Sequence, residues 1–202
     1  MSWACYDTPE ADPIYKYKIV RPQGFTIPQE AAQIHGITTE RARREGVDLP
    51  AVLNEFAEDI RRSPPSLLVA HNMQFDRPVI LAEYIRSGIP EPISRFPTFC
   101  TMVSTTEICR LRPMRNGRHK WPKLTELHYH LFQMEFSAGH DARADVRACA
   151  KCFFHLVETG QIHIEATGAV ERTPPTPRSA TPVAYPAAPK KEKPFWQRIL
   201  GG

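Results

Sequence analysis

No apolar run in this 202-residue chain approaches the roughly 18 residues that a membrane span requires. The first residues carry neither a basic stretch nor a long apolar one, so no signal peptide is expected. Cysteine is sparse and odd in number. Cys5, Cys100, Cys109, Cys149 and Cys152 stand in no framework spacing, which argues against a disulfide scaffold and for reduced thiols in a cytoplasmic protein. A zinc centre finds too few ligands: Cys149, Cys152 and His155 follow one another along one helix with no second pair nearby, so core thiols are the expectation. No internal repeat is visible. The formal charge of +4 is small, and it permits a polyanionic partner without demanding one.

The last part of the chain is proline-rich. "ERTPPTPRSATPVAYPAAPKKEKP" offers almost no large apolar side chain and cannot offset its ordering entropy, so residues 169–194 are expected to form an extended, disordered linker. It leads to "FWQRILGG" (195–202), a short apolar motif with no core of its own. The remaining residues, 1–168, read as one globular domain.

Its elements alternate. "SWACY" and "YKYKIV" are rich in aromatic and β-branched residues and read as strands. "DLPAVLNEFAEDIRRS" reads as a helix that Asp48 can cap, with Pro50 in its first turn and Val52, Leu53, Phe56, Ala57 and Ile60 on one face. "SLLVA" resembles a strand buried on both faces. "DRPVILAEYIRSG" reads as a helix with Pro78 in its first turn and Gly88 at its end. "FPTFCT" suggests a strand, "WPKLTELHYHLF" a helix opened by Pro122, and "ARADVRACAKCFFHLVETG" a long helix closed by Gly160. Strands followed by helix–strand–helix units imply an α/β domain with a mixed sheet.

Two stretches carry chemistry. In "LLVAHNMQFDRPVI" a buried strand ends in a polar knot of His71, Asn72, Gln74 and Asp76, at the place where open α/β sheets bind ligands. In "GHDARADVRACAKCFFHL" His140 stands before a helix and Asp145 lies at its start. Within one helix, positions five apart face about 140° apart, so His140 must lie outside the helix to share a site with Asp145. Paired carboxylates with a nearby imidazole suit metal-assisted hydrolysis: hard oxygens hold Mg²⁺ or Mn²⁺, and a histidine titrating near neutrality can take a proton from water. "RLRPMRNGRHKWPK" is a strongly basic loop whose Arg115, Arg118 and Lys120 could hold phosphates if it borders the cleft. His35, His128 and His130 read as structural residues.

These stretches resemble the DnaQ-like 3′–5′ exonucleases. "LLVAHNMQFDRPVI" is similar to that family's second exonuclease motif. "HDARAD" is similar to its third, in the variant that marks the DEDDh subgroup, which includes the proofreading subunit of bacterial replicative DNA polymerase. "VRPQGFTIPQEAAQIHGIT", "FCTM" and "KWPKLTEL" match in order and spacing. The resemblance implies a ribonuclease H-like fold and hydrolysis of DNA from a single-stranded 3′ end by two Mg²⁺ or Mn²⁺ ions about 4 Å apart. Asp76 and Asp145 would then be metal ligands, His140 the general base, and Asn72 a substrate contact. The tail would tether the domain to a DNA polymerase or sliding clamp, and no membrane is involved.

One element of the family is missing. Its first motif is an Asp-x-Glu on a central first strand, and the opening residues align instead with the family's second and third strands. Asp7 and Glu10 are three apart and would point to opposite faces of a strand. The expectation is therefore a sheet without its first central strand, in a chain whose Met1 is not the true start or that is a truncated remnant, folding poorly and degrading little DNA as written. Two other functions follow from the same residues: a nuclease-like module without catalysis that binds nucleic acid or a polymerase, and an RNA-trimming exoribonuclease.

Overall fold

The computed structural model of the chain describes residues 1–8, 11–114, 117–136, 141–164 and 170–171. Glu10, Arg115, His140 and the tail from residue 172 onward lie outside the described residues.

Two short strands open the chain. β1 (Ser2–Cys5) and β2 (Ile14–Tyr17) pair antiparallel, with Trp3 opposite Lys16. The Met1 and Lys18 backbones exchange both hydrogen bonds, at 2.8 and 2.9 Å. Two small helices follow, α1 (Gln29–His35) and α2 (Thr39–Glu45). Neither was foreseen. α1 has no buried residue and so no apolar periodicity to betray it, and α2 is announced chiefly by the Thr38 hydroxyl, which accepts from the Arg41 N–H.

α3 (Leu49–Arg62) buries Val52, Leu53, Phe56, Ala57 and Ile60, the face expected from its spacing. It packs on β1 through Trp3, whose ring meets Phe56 edge-on and whose indole N–H donates to Asp59 at 3.0 Å. β3 (Leu68–Ala70) leads into α4 (Met73–Ser87). This helix starts earlier than its sequence suggests, because Asn72 adopts a left-handed backbone (φ 83°) and its carbonyl accepts from the Phe75 and Asp76 N–H groups. Pro78 therefore lies inside the helix rather than in its first turn. The fully buried Tyr84 hydroxyl donates to the Leu53 carbonyl at 2.8 Å and locks α4 to α3.

β4 (Thr98–Cys100) pairs parallel with β3, Val69 opposite Phe99. Two single turns, α5 (Thr101–Ser104) and α6 (Thr106–Cys109), lead to the basic hairpin and then to α7 (Leu124–Phe132). α8 (Ala142–Glu158) crosses β1, β2 and β3 and packs against α7. Gly160 (φ 67°) lets the chain turn after it, and a small antiparallel pair, β5 (His163–Ile164) with β6 (Val170–Glu171), closes the described part.

The sheet is interrupted. β1 pairs only with β2 and β3 only with β4 among the described residues, although both rest on α8. "SLLVA" is consequently half-buried rather than buried on both faces. The mixed α/β architecture agrees with a ribonuclease H-like fold, and among the described residues no strand pairs with both β1 and β3.

Candidate active site

A cleft of about 1990 Å³ runs along the interruption. His71, Asn72, Asp76, Lys120, Asp145 and Cys149 line it. Asp76 and Asp145 occupy equivalent positions on separate helices. Asp76 is in the first turn of α4, where its N–H donates to the Asn72 carbonyl at 3.2 Å, and Asp145 is in the first turn of α8, where its N–H donates to the Asp141 carbonyl at 3.0 Å. The positive ends of both helix dipoles thus face carboxylates. α8 is capped by Asp141, whose side chain accepts from the Arg143 N–H at 3.0 Å, so Asp145 itself is not needed as a cap.

Cys149 shares the lining of the cleft with both acids, its thiol buried. Burial first, and then the negative charges of Cys100, Asp76 and Asp145, push the Cys149 thiol up to about 12, against the hydroxyl of Thr101 3.7 Å away. Desolvation also raises the Asp76 carboxyl above the usual aspartate range. A carboxylate held against its own desolvation is suited to a cation.

His71 is a residue whose role the sequence left unassigned. Its Nε2–H donates to the Pro122 carbonyl at 3.0 Å, and its Nδ1 lies 2.9 Å from the Thr101 hydroxyl. Burial lowers its pKa, so near neutral pH the ring is uncharged and Nδ1 accepts from Thr101. It pins the exit of β3, the start of α5 and the loop before α7 together. The signal was its place in the polar knot after a buried strand.

The basic loop contributes less than its composition suggests. Pro113 and His119 bridge as a hairpin. Arg118 is exposed and does not line the cleft. Lys120 does, but its ammonium contacts both carboxylate oxygens of Glu126, one at 2.8 Å. Arg115 and His140 lie outside the described residues. Asp7 stands at the other end of the cleft from Asp76. It accepts a 3.4 Å hydrogen bond from Ser63, which precedes β3, whereas Asp76 follows β3. It is therefore badly placed to join Asp76 and Asp145.

The donor set tests the metal expectation. The oxygens of Asp76 and Asp145 are the hard ligands that Mg²⁺ or Mn²⁺ prefers. Among the described residues, however, no three of His, Cys, Asp and Glu gather to hold a metal ion. Two carboxylates fit one side of a cation site and fall short of a pair of ions. Cys149 and Cys152 are buried and unpaired, as expected of core thiols. No helix of the described residues is long and apolar enough to cross a membrane.

Helices that present acids into a cleft beside a mixed, partly parallel sheet are consistent with a ribonuclease H-like fold, and solved structures share that fold. E. coli Exonuclease I in complex with a dA16 oligonucleotide superposes with a TM-score of 0.57 at 22% identity, covering 75% of this chain and 34% of that one. The nuclease domain of 3'hExo, a DEDDh family member bound to rAMP, superposes with a TM-score of 0.57 at 15% identity, covering 80% and 78%. The zinc-bound form of the E. coli ExoI–ssDNA complex matches at 23% identity with a TM-score of 0.54. The chain thus spans about a third of the length of Exonuclease I. No curated protein matches by sequence. The sequence model of the exonuclease family RNase_T matches residues 14–153. The chain belongs to that exonuclease family.

Proposed function

We propose that residues 1–168 form the nuclease domain of a metal-dependent 3′–5′ exonuclease that acts on single-stranded DNA. The observation that carries this reading is that Asp76 and Asp145, each in the first turn of its own helix, line the same cleft, where Asp76 is desolvated. In this reading the two aspartates hold Mg²⁺ or Mn²⁺, which when bound stabilises charge on the attacking and leaving oxygens. His140, five residues before Asp145, takes the proton of the attacking water. Asn72 faces the substrate from the αL turn before α4, and Lys120, which lines the cleft beside Glu126, is the basic-loop residue placed to meet phosphates. Five unpaired thiols suit a cytoplasmic setting. The Pro-rich segment 169–194 tethers the domain, and residues 195–202 dock on a polymerase or sliding clamp.

The test is divalent-metal-dependent release of nucleotides from 3′-labelled single-stranded DNA, with a ribo-oligonucleotide of the same sequence run in parallel. His140→Ala should cost about 10²–10⁴-fold in rate, and Asp76→Asn or Asp145→Asn should abolish release while the circular dichroism spectrum is unchanged. Full activity in any of the three removes that residue from the mechanism. Preferred degradation of the ribo-oligonucleotide would replace DNA by RNA as the substrate. The shortage of metal donors among the described residues favours one second reading, a catalytically impaired module that binds nucleic acid. It predicts retention of the oligonucleotide in a filter-binding assay with no release at any Mg²⁺ or Mn²⁺ concentration.

A further inference from the structure

α8 carries charged residues on two opposite sides. Asp145 lines the cleft. Arg143, Arg147 and Lys151 stand at every fourth position and are exposed, and helix positions two apart point about 160° from one another. The three cations line a second hollow, of about 510 Å³, together with Ala144, Ala148 and His128. It shares no lining residue with the cleft, yet the two adjoin at the start of α8, where Asp141 lines one and Ala142 the other. The cations are held in place by rings. Arg143 lies over Tyr17 and Arg147 over Tyr15, each 4.7 Å from the ring centre, and Lys151 lies 4.1 Å from that of Phe132. Tyr15 and Tyr17, two apart on β2, share one face of that strand. Stacking fixes the long stems and leaves the N–H donors at their edges open.

Elsewhere in the molecule helical cations meet an acid one turn away: Arg41 with Glu45, Arg61 with Glu58, Arg86 with Glu83. The row on α8 does the reverse. Arg143 with Arg147, and Arg147 with Lys151, are like charges at i,i+4, a spacing at which like charges repel. Asp141 is the one acid lining the hollow among the described residues, and Arg143 already holds it at 3.2 Å. Arg147 and Lys151 form no ion pair among the described residues. Fixed cations without acids call for an anionic ligand. One turn advances the row by about 6 Å, so its three members span about 12 Å, more than a single phosphate or carboxylate bridges. The ligand therefore carries repeated charge. An acidic peptide would match only with acids at alternate positions, since successive side chains of a strand point opposite ways. Every nucleotide of a single strand brings a phosphate, and a guanidinium edge suits phosphate oxygens.

We infer that this face of α8 is a backbone track for single-stranded nucleic acid, in which Arg143, Arg147 and Lys151 hold phosphates of the strand upstream of the 3′ end that the cleft receives. The inference rests on reading the cleft as the site of that 3′ end. It adds a second anchoring surface, blind to base sequence, on the far side of the helix that carries Asp145. The row supplies affinity and takes no part in the chemistry.

Fluorescence anisotropy tests it on the full chain, in EDTA so that nothing is cleaved, with a dye-labelled DNA single strand of about 16 nucleotides as the probe. Arg147→Gln combined with Lys151→Gln removes two phosphate contacts made by exposed side chains, and an unchanged melting temperature checks that the fold is kept. For two contacts the slope of log affinity against log salt should flatten by about 1.4. Between 50 and 200 mM salt the wild type should therefore lose about sevenfold more affinity than this variant. Arg147→Lys combined with Lys151→Arg keeps both charges and should keep the wild-type slope. A strand whose phosphates upstream of the 3′ end are neutral methylphosphonates should flatten the slope on the wild type and much less on the glutamine variant. Equal slopes for wild type and glutamine variant overturn the inference, and so does a flattened slope in the charge-keeping variant. A wild-type slope that methylphosphonates leave unchanged overturns it too, and that measurement stands even if a variant fails to fold. Tighter binding of poly-glutamate than of the DNA strand, lost in the glutamine variant, would overturn it in favour of an acidic protein segment. Failure of the nuclease reading is distinguishable. Binding that weakens in the glutamine variant, with no nucleotide released when Mg²⁺ or Mn²⁺ is added, leaves the track and removes the chemistry, whereas release with equal slopes removes only the track.

Discussion

Replacing His71 by glutamine should make the stability curves of wild type and variant converge as pH falls from 7.5 to 5. At neutral pH the imidazole donates to the Pro122 carbonyl and accepts from Thr101. Glutamine keeps the donor but loses the fit to Thr101, a loss of about 0.5–1.5 kcal/mol for one hydrogen bond. On the acid side the deficit narrows. Burial lowers the folded-state pKa of His71 below its ordinary value of 6.5. A base with a depressed pKa contributes stability that is present above the unfolded pKa and lost as pH falls below it, because only the unfolded chain then takes up the proton. The slope is at most about 1.4 kcal/mol per pH unit for one proton. That slope acts from 6.5 down to the depressed folded-state pKa, so the wild type loses ground to the variant across this window. Other groups do not disturb the comparison. His128 and His130, also lowered by burial, contribute the same slope to both proteins. Asp76, raised by desolvation, loses stability as pH rises through its folded pKa, again in both. The carboxylates lowered by basic neighbours, such as Glu45 and Glu55, weaken folding only below their ordinary value of 4.5. Urea unfolding by circular dichroism at half-unit pH steps measures the difference directly. Parallel curves, separated by a constant amount from pH 7.5 to 5, would refute the assignment of His71 as a buried neutral anchor.

Three further outcomes are expected. Tyr84→Phe should lower the unfolding free energy in urea by about 0.5–1.5 kcal/mol, the bond to Leu53, and Tyr84→Ala by about 3–5 kcal/mol, through the cavity left between α3 and α4. Gly46→Ala would set a Cβ 2.1 Å from the Ala42 carbonyl oxygen and 2.8 Å from the Arg21 nitrogen, so it should cost at least the ~1–3 kcal/mol of an overpacked site, read as a drop in melting temperature. Asp76→Asn removes a desolvated carboxylate, so at pH 8 the variant should be as stable as wild type or more so in urea unfolding, with the advantage shrinking as pH falls and the wild-type carboxyl takes up its proton.

The sequence conveyed the parts of the fold that bury a periodic face. In α3 all five expected core residues are buried, because an apolar stripe at helical spacing can be satisfied in only one way. It failed where backbone geometry rather than side-chain pattern decides. α4 begins at Met73 because Asn72 tolerates a left-handed turn, a property that no run of apolar residues reveals. The start of the candidate site was legible for a similar reason: Asp76 and Asp145 each sit in a helix's first turn after a recognisable boundary. The partner of Lys120 was not legible, since a basic loop looks alike whether its charges meet phosphate or, as with Glu126, a carboxylate six residues on.

The gap between β1 and β3 leaves the interior bridged by side chains rather than by backbone pairing. Trp3, Leu53, Phe56 and Tyr84 form one cluster that also takes in Leu68 of β3, and Phe99, Leu156 and Ile162 form another. Among the described residues such a chain joins its two strand pairs through helices rather than backbone bonds, by α8 and by the Tyr84 bond between α4 and α3, so the pairs can lose structure separately. Its heat-absorption profile should be broad or split, with a calorimetric enthalpy larger than the van't Hoff value. Whatever closes the gap would fuse the two transitions into one, so cooperativity, more than midpoint temperature, becomes the quantity that registers a complete interior.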